Sequence, residues 1–504
     1  MDISHLLIRN GLRFPRKVAL IDGPRRWTYR RFNREVNRLA NGLREKGVGP
    51  AAAVGILLRN RLEFAVVFYA LTKLGATLVP INYHLAAAEA AYVLRHSRAG
   101  SLIFEEEFGP LVSQLRRSGL RLPLLVGVGG RRMRGVLPYA SLLGPADEPD
   151  GGFPPDAPHT LAYTSGTTGR PKGAVLTRAN IFTINYLLSV IQWRLRPEDV
   201  FLVTTPLAHR IGTSRLVNSV SVGATLVLLR KFTLEGLFRS LARESVTVLN
   251  LIPTMVRRLM AAPAGRFRPV ESVRTVLLTG EPSTSELERR VQDFFPAAEV
   301  VPYLSSTEGG IIASAEPGDR AHPLGSVGRP LPGVEVGVFS PQGASLPAGS
   351  VGEIRVRSGP PGAYSVMRGY LRDPKGTKEA FHDGWLCTGD LGRFDKGGYL
   401  YIAGRKKEMI ISGGLNIYPR EVELALESHP KVREAAVVAT PHPDYGEVPK
   451  AFLVPRPGQR LDLGELVSDL RLRIAGYKIP KAFEVVSDLP RTASGKLNRR
   501  ALRK

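Results

Sequence analysis

The stretch Tyr163-Thr-Ser-Gly-Thr-Thr-Gly-Arg-Pro-Lys-Gly-Ala-Val175 gathers small hydroxyl residues and glycines into one turn. Glycine lets the backbone come close to a ligand, and successive amide N–H groups in such a turn form a nest for phosphate oxygens. Thr164, Ser165, Thr167 and Thr168 add hydroxyl donors, Gly166 and Gly169 leave room, and Lys172 adds a positive charge. The G-x-x-x-x-G-K-[ST] spacing of a Walker A loop is absent, which disfavours a P-loop NTPase. A plain Ser/Gly turn is the bland alternative, and the length of the run argues against it.

Around this turn the chain alternates helical and strand-like patterns. Phe32, Val36, Leu39 and Leu43 share one face of a helix. Residues 54–58 read as a buried strand, 62–75 as a helix, 78–81 as a strand, 85–96 as a helix and 101–104 as a strand. That rhythm predicts an α/β fold with largely buried sheets. Pro/Gly-rich residues 144–158 and 359–362 are expected to be surface connections. A charged, glycine-flanked segment at 404–414 precedes a helix beginning near Pro419. It predicts a large N-terminal domain, residues 1–406, and a C-terminal domain, residues 407–504, of ordinary domain size.

Composition narrows the class further. A chain of 504 residues, 43% hydrophobic, holds more apolar material than one small core needs, so at least two domains are expected. The longest uncharged apolar stretch, 216–229, falls short of the ~20 residues of a membrane-spanning helix. Asp2, His5, Arg9 and Arg13 interrupt any signal-peptide core. The single cysteine, Cys387, excludes an internal disulfide and a multi-cysteine zinc site. A cytoplasmic protein without integral membrane association is expected. The formal charge of +25 is spread along the whole chain, densest over 471–504, with no RNA-binding or zinc-finger signature. A nucleic-acid partner is therefore not expected; a phosphate-bearing small molecule or an acidic carrier protein fits the charge as well.

The turn at 163–175 resembles the phosphate loop of the adenylate-forming superfamily, which comprises acyl-CoA synthetases, peptide-synthetase adenylation domains and beetle luciferases. Further stretches match in family order: Pro206-Leu-Ala-His209, Gly280-Glu-Pro282, Ser306-Thr-Glu308, Gly384-Trp-Leu-Cys-Thr-Gly-Asp390, Gly404-Arg-Lys-Lys-Glu408, Ser412-Gly-Gly-Leu-Asn-Ile-Tyr-Pro419 and Pro490-Arg-Thr-Ala-Ser-Gly-Lys496. The resemblance covers nearly the whole chain. Asn82-Tyr83 and the helix after it are most similar to the acyl-CoA synthetase branch. The resemblance implies a large N-terminal domain of packed β-sheets flanked by helices, and a small mobile α+β C-terminal domain. It implies activation of a carboxylic acid by ATP as an acyl-adenylate, followed by transfer of the acyl group to coenzyme A.

The same resemblance assigns roles residue by residue. Thr164 to Gly169 and Lys172 hold the phosphates, with Thr168 acting in the chemistry; Gly280, Glu281, Pro282 and the run Tyr303, Leu304, Ser305, Ser306 and Thr307 complete the ATP site. Glu308 holds Mg²⁺, with Thr164 as a hydroxyl ligand, a donor set that suits a hard cation. Asp390 accepts the ribose hydroxyls, and Arg405 contacts ribose and phosphate. Lys496 reaches the carboxylate and α-phosphate during adenylation, a task suited to a mobile point charge. His209, with Arg210 and Gly309, shapes the acyl pocket; Ser412, Gly413 and Gly414 line the thiol path; Lys407 is the hinge about which the small domain turns. Trp385 and Tyr399 are read as packing residues.

Departures from the family pattern are specific. Leu304 stands where an aromatic residue usually stacks on adenine, and Ser305 where glycine is usual. Either Tyr303 shifts onto the base or Leu304 makes an apolar contact. Ala208 replaces a frequent Phe, Leu415 a frequent Glu or Phe, and Arg210 adds a charge that could meet a second polar group on the substrate. A stand-alone adenylating enzyme loading a carrier-protein thiol is the nearest rival, and a weakly catalytic binding homologue is a second. No inserted segment of the kind that blocks CoA use in fatty acyl-AMP ligases is present in the N-terminal region. A homodimer is left open, as is the acid.

Overall fold

The computed structural model describes all residues except 1, 51, 132, 150, 165–170, 263–265, 280–284, 320, 492–496 and 504, and of 285 and 286 the backbone alone. Two large sheets, of eight and nine strands, form the bulk of the N-terminal domain. In the first, Thr77–Pro80, Ala53–Leu57, Ser101–Glu105 and Leu124–Val128 run parallel. The second is parallel through Thr225–Leu228, Val200–Val203, Val248–Leu251, Thr275–Leu278 and Glu299–Ser306, and then turns antiparallel at Gly310–Ser314.

The helix Leu62–Lys73 explains how these sheets meet. Its sequence is apolar on all sides, and every residue but Glu63 is buried. A helix of that kind belongs inside a core rather than on one face of it. One core cluster accordingly joins Leu20, Val203 and Leu226 of one sheet to Val54, Ile56 and Leu78 of the other. The amphipathic helix Tyr29–Glu45 adds Phe32, Val36, Leu39 and Leu43, all fully buried, as their spacing predicts. Phe32 meets Tyr69 edge to face at 5.6 Å. The helix expected over 85–96 begins at Ala87, because the Glu89 carboxylate accepts the Ala86 amide and caps it there. The apolar stretch 216–229 is divided between the helix Arg210–Val222 and the strand Thr225–Leu228. Gly223 makes the break at φ 78°, where an added Cβ would lie 2.7 Å from the Phe14 ring.

A third sheet, antiparallel, carries Glu335–Phe339, Gly352–Arg357, Trp385–Phe394 and Leu400–Arg405. Trp385 packs against Phe339 at 5.2 Å, and Tyr399 is buried with its hydroxyl donating to Asp319 at 2.9 Å. The last sheet belongs to the smaller C-terminal domain. It begins with the hairpin Ile410–Ser412 and Leu415–Ile417, continues through Val432–His442 and Gly446–Pro455, and is covered by helices Pro419–Glu427 and Leu463–Arg473. The turn Lys406–Glu408 joins the third sheet to the last. No helix among the described residues is long and apolar enough to cross a membrane.

A buried polar knot ties the N-terminus to this core and sets a pH dependence. Arg178 pairs with Asp2 and donates to the Thr72 carbonyl at 2.5 Å. Beside it, His159 is fully enclosed between Thr72 Oγ1 at 2.9 Å and Thr160 Oγ1 at 2.8 Å. The Thr72 hydroxyl donates to the Phe68 carbonyl, so it accepts from His159 Nε2–H, and Nδ1 is left to accept from Thr160. Burial first, and then the Arg178 charge, hold the imidazole pKa down at about 3. The unfolded chain protonates near pH 6.5, so this contribution is whole above about pH 6.5 and is lost as pH falls towards 3. We expect the urea-unfolding free energy to drop by about 2 kcal/mol from this group between about pH 6.5 and 5. His159→Gln should flatten that slope; an unchanged slope would assign it to other groups.

Candidate active site

The phosphate-loop hairpin is fixed by its two strands. Pro158–Thr164 pairs antiparallel with Lys172–Thr177, with Thr164 opposite Lys172, so residues 165–171 join the two strands in the chain. Ser165, Gly166, Thr167, Thr168 and Gly169 lie outside the described residues, as do Gly280, Glu281, Pro282 and Lys496.

Glu308 stands at the turn between Glu299–Ser306 and Gly310–Ser314. Gly310 adopts φ 74° there, and a Cβ would lie 3.0 Å from both Ile184 and the Ser365 carbonyl, so the turn requires glycine. Ser306 Oγ accepts the Gly309 amide at 2.7 Å, and the Glu308 carbonyl accepts the Met367 amide at 2.7 Å. The Glu308 carboxylate then accepts from Thr164 Oγ1 at 3.1 Å and from the Tyr370 hydroxyl at 3.2 Å. Burial and the Glu308 charge raise the Tyr370 pKa, so the phenol stays a donor. Lys172 lies 5.0 Å from the Tyr370 ring centre and 3.5 Å from Asp373. Thr164 and Glu308, 144 residues apart in sequence, thus meet with two oxygen types and no nitrogen or sulfur between them. No cluster of three or more His, Cys, Asp or Glu suited to a metal occurs among the described residues.

Asp390 and Arg405 face each other across neighbouring strands. Asp390 is buried, and Arg405 Nε lies 2.8 Å from its Oδ1. The exposed guanidinium also donates to the Thr388 carbonyl at 3.3 Å. Tyr303 and Leu304 alternate on one strand and part company. The Tyr303 ring is buried 4.9 Å from Trp193, with its hydroxyl donating to Asn250 at 3.2 Å. Leu304 is only partly buried; both residues border the cleft, and a register irregularity follows at Ser305. The Ser306 and Thr307 backbones lead from there to Glu308.

His209 caps the helix Arg210–Val222, its Nδ1 accepting the Ile211 amide at 3.4 Å. Arg210 turns back towards the Glu308 turn and donates to the Thr307 carbonyl. Burial lowers its pKa to about 10, with the Glu308 charge opposing the shift. Arg215, further along the helix, also lines the cleft.

The cleft, about 1860 Å³, runs from these residues along the seam between the two domains. Its C-terminal wall includes Lys407, Glu434, Arg491, Leu497 and Arg499. Arg491 and Leu497 pair as a β-bridge, so both flanks of 492–496 face the cleft. Arg491 binds Glu434 at 2.6 Å, and Arg499 binds Glu408 at 2.9 Å and the buried Glu423. Lys407 is exposed in the turn Lys406–Glu408. Ser412, Gly413 and Gly414 are not part of this wall. They form a hairpin turn in which both glycines have positive φ, and Gly413 N donates to the Tyr445 carbonyl at 2.9 Å. Tyr370, Arg215 and Arg499 escaped the sequence-based expectations. Each acquires its place from a partner distant in the chain, and no spacing pattern marks them.

A large α/β domain built on sheets of eight and nine strands, with a small α+β domain across a cleft, is the architecture of the adenylate-forming ligases. The chain belongs to this family: residues 7–371 match the model for AMP-binding enzymes, and 421–496 that for the AMP-binding enzyme C-terminal domain. It is 36% identical to a feruloyl-CoA synthase of Amycolatopsis sp, over 97% of this chain and 96% of the relative. It is 32% identical to the fatty acid–[acyl-carrier-protein] ligase ScoC of Streptomyces coeruleorubidus, over 97% and 93%. The crystal structure of the anthranilate CoA ligase AuaEII with anthranoyl-AMP superposes with a TM-score of 0.92 at 29% identity, covering 100% of this chain and 96% of that one.

Proposed function

We infer that this chain is an AMP-forming acid–CoA ligase. The observation that carries the inference is one cleft holding the Thr164–Glu308–Tyr370 cluster, the Asp390–Arg405 pair and the flanks of 492–496. A carboxylate oxygen attacks the α-phosphorus of ATP, forming the C–O–P link of the acyl-adenylate as pyrophosphate leaves. The thiol of coenzyme A then attacks the carbonyl, releasing AMP.

Each step asks something different of the protein. The first concentrates negative charge, and preorganised donors and cations lower its barrier. The loop Thr164 to Gly169 and Lys172 receive the phosphates in this account, and Lys496 meets the carboxylate and α-phosphate. Asp390 accepts the ribose hydroxyls while Arg405 holds its carboxylate in place. Since Tyr303 is committed to Trp193 and Asn250, Leu304 is the side chain left to cover adenine. His209 and Gly309 border the acyl group. The all-oxygen donors of Glu308 and Thr164 fit Mg²⁺. Held there together with the ATP phosphates, the ion would supply charge neutralisation to the departing pyrophosphate.

The second step needs the adenylate exposed to a thiol. We place the domain division at 406/407 with Lys407 as the pivot. The present arrangement suits adenylation, because the wall facing the cleft is the one flanking 492–496. Rotation about Lys407 would exchange it for the Ser412-Gly413-Gly414 turn. A carrier-protein thiol is the second acceptor to consider, since a relative 32% identical loads one. A cytoplasmic location fits these substrates. The test is a panel of acids scored for pyrophosphate release with ATP and Mg²⁺, with and without CoA. We expect acid-dependent release that CoA accelerates, with thioester as product; release that CoA never affects would favour the carrier protein.

A further inference from the structure

The acyl end of the cleft contains a cation the fold does not neutralise. Arg215 is 2% exposed, lines the cleft, and has no carboxylate within ion-pair distance among the described residues. Its guanidinium lies 4.6 Å from the centre of the Trp193 ring, beside Tyr303. Nε and Nη1 are buried without a hydrogen-bond partner among the described residues. A cation–π stack offsets only part of the cost of desolvating a guanidinium, and unpartnered buried donors add to that cost. Arg210 repeats the pattern nearer the reacting end: Nη1 donates to the Thr307 carbonyl, while Nη2 is buried without a partner. Both arginines belong to the helix Arg210–Val222, and their five-residue separation is a rise of about 7.5 Å.

Resting on the acid-activating function above, we propose that the acid this chain activates carries a second anionic group, and that Arg215 binds that group at the far end of the acyl pocket. Two features set the chemical class. The donors are guanidinium N–H groups, which match a planar carboxylate in a bidentate fork. The depth of Arg215 along the helix separates it from the Glu308 turn, so the two acid groups are joined by a spacer of several carbons rather than by one. Arg210, held at the Thr307 carbonyl beside Glu308, adds positive potential at the near end and favours a doubly charged acid over a singly charged one. A dicarboxylic acid pairs the charge that Trp193 and Tyr303 leave uncompensated; a hydrocarbon tail in the same place would bury the charge further without pairing it.

The test uses pairs of acids that differ only in ending with a methyl or a carboxylate, such as hexanoate against hexanedioate, along a series of chain lengths. Acid-dependent pyrophosphate release is measured for wild type, Arg215→Met and Arg215→Lys. Wild type should prefer the diacid at one length by on the order of 10–100-fold in kcat/KM. Arg215→Met should abolish that preference, mainly through KM for the diacid, and Arg215→Lys should restore part of it. The thermal midpoint of Arg215→Met should not fall, because the variant removes an unpaired buried charge at similar volume. A wild-type enzyme that uses the methyl-ended acid as well as the diacid at every length overturns the proposal, and needs no variant to do so. Equal loss with both acids in Arg215→Met, together with a lower midpoint, overturns it by making Arg215 a structural partner of Trp193. Release with no acid of any kind would instead overturn the acid-activating function itself.

Discussion

Lys496→Ala should lower acid-dependent pyrophosphate release by about 10²–10³-fold, the usual cost of removing one preorganised charge contact at a developing anion. The expectation rests on two features. Lys496 closes the stretch Pro490-Arg-Thr-Ala-Ser-Gly-Lys496, whose described flanks, Arg491 and Leu497, both line the cleft. The salt bridges of Arg499 to Glu408 and Glu423 fix the chain three residues beyond it. In the proposed mechanism its charge matters while negative charge gathers at the α-phosphate, and the domain carrying it turns away before the thiol attacks. The second half-reaction, started from a synthetic acyl-adenylate and CoA, should therefore proceed at close to the wild-type rate. Comparison of the two half-reactions also guards against misfolding, which would abolish both. Normal adenylation by the variant, or failure confined to thioester formation, would show the lysine is misplaced.

Glu308→Gln should have a comparable effect for a different reason. Glutamine keeps the volume of the side chain and an oxygen that can accept from Thr164 and Tyr370, so the turn at Gly309-Gly310 should hold and the thermal midpoint should stay near that of wild type. What is lost is the charge. A neutral amide oxygen is a poor substitute for a carboxylate toward Mg²⁺. We expect pyrophosphate release to fall by about 10²–10³-fold and the Mg²⁺ concentration for half-maximal rate to rise. Wild-type Mg²⁺ dependence in the variant would remove Glu308 from the metal site.

Much of this arrangement is legible in the sequence, and the limits have physical causes. The helix Leu62–Lys73 is legible because its apolar run, 64–71, falls between two strand-like stretches, and such a run packs inside a core. Residues 163–175 read as a phosphate turn because glycine and hydroxyl density is a local property. Glu308, Asp390 and Arg405 stand out in the sequence as parts of motifs, and the fold sets Asp390 opposite Arg405 on paired strands. The Tyr370 contact with Glu308 spans 62 residues and has no local mark. The choice between Tyr303 and Leu304 depends on which face of the strand meets Trp193, and a single-residue change of register would reverse it. The Arg215 stack on Trp193 is likewise a meeting of distant segments, invisible until both are placed.

Oxygen tracing tests the central claim most directly. An acid labelled with ¹⁸O in both carboxylate oxygens is incubated with the enzyme, ATP, Mg²⁺ and CoA, and the products are analysed by mass spectrometry. If a carboxylate oxygen attacks the α-phosphorus and the thiol then cleaves the acyl–oxygen bond, AMP must carry one ¹⁸O, the thioester must keep the other, and pyrophosphate must carry none. Label in inorganic phosphate, with ADP as the nucleotide product, would mean an acyl phosphate at the γ-position and would contradict the account.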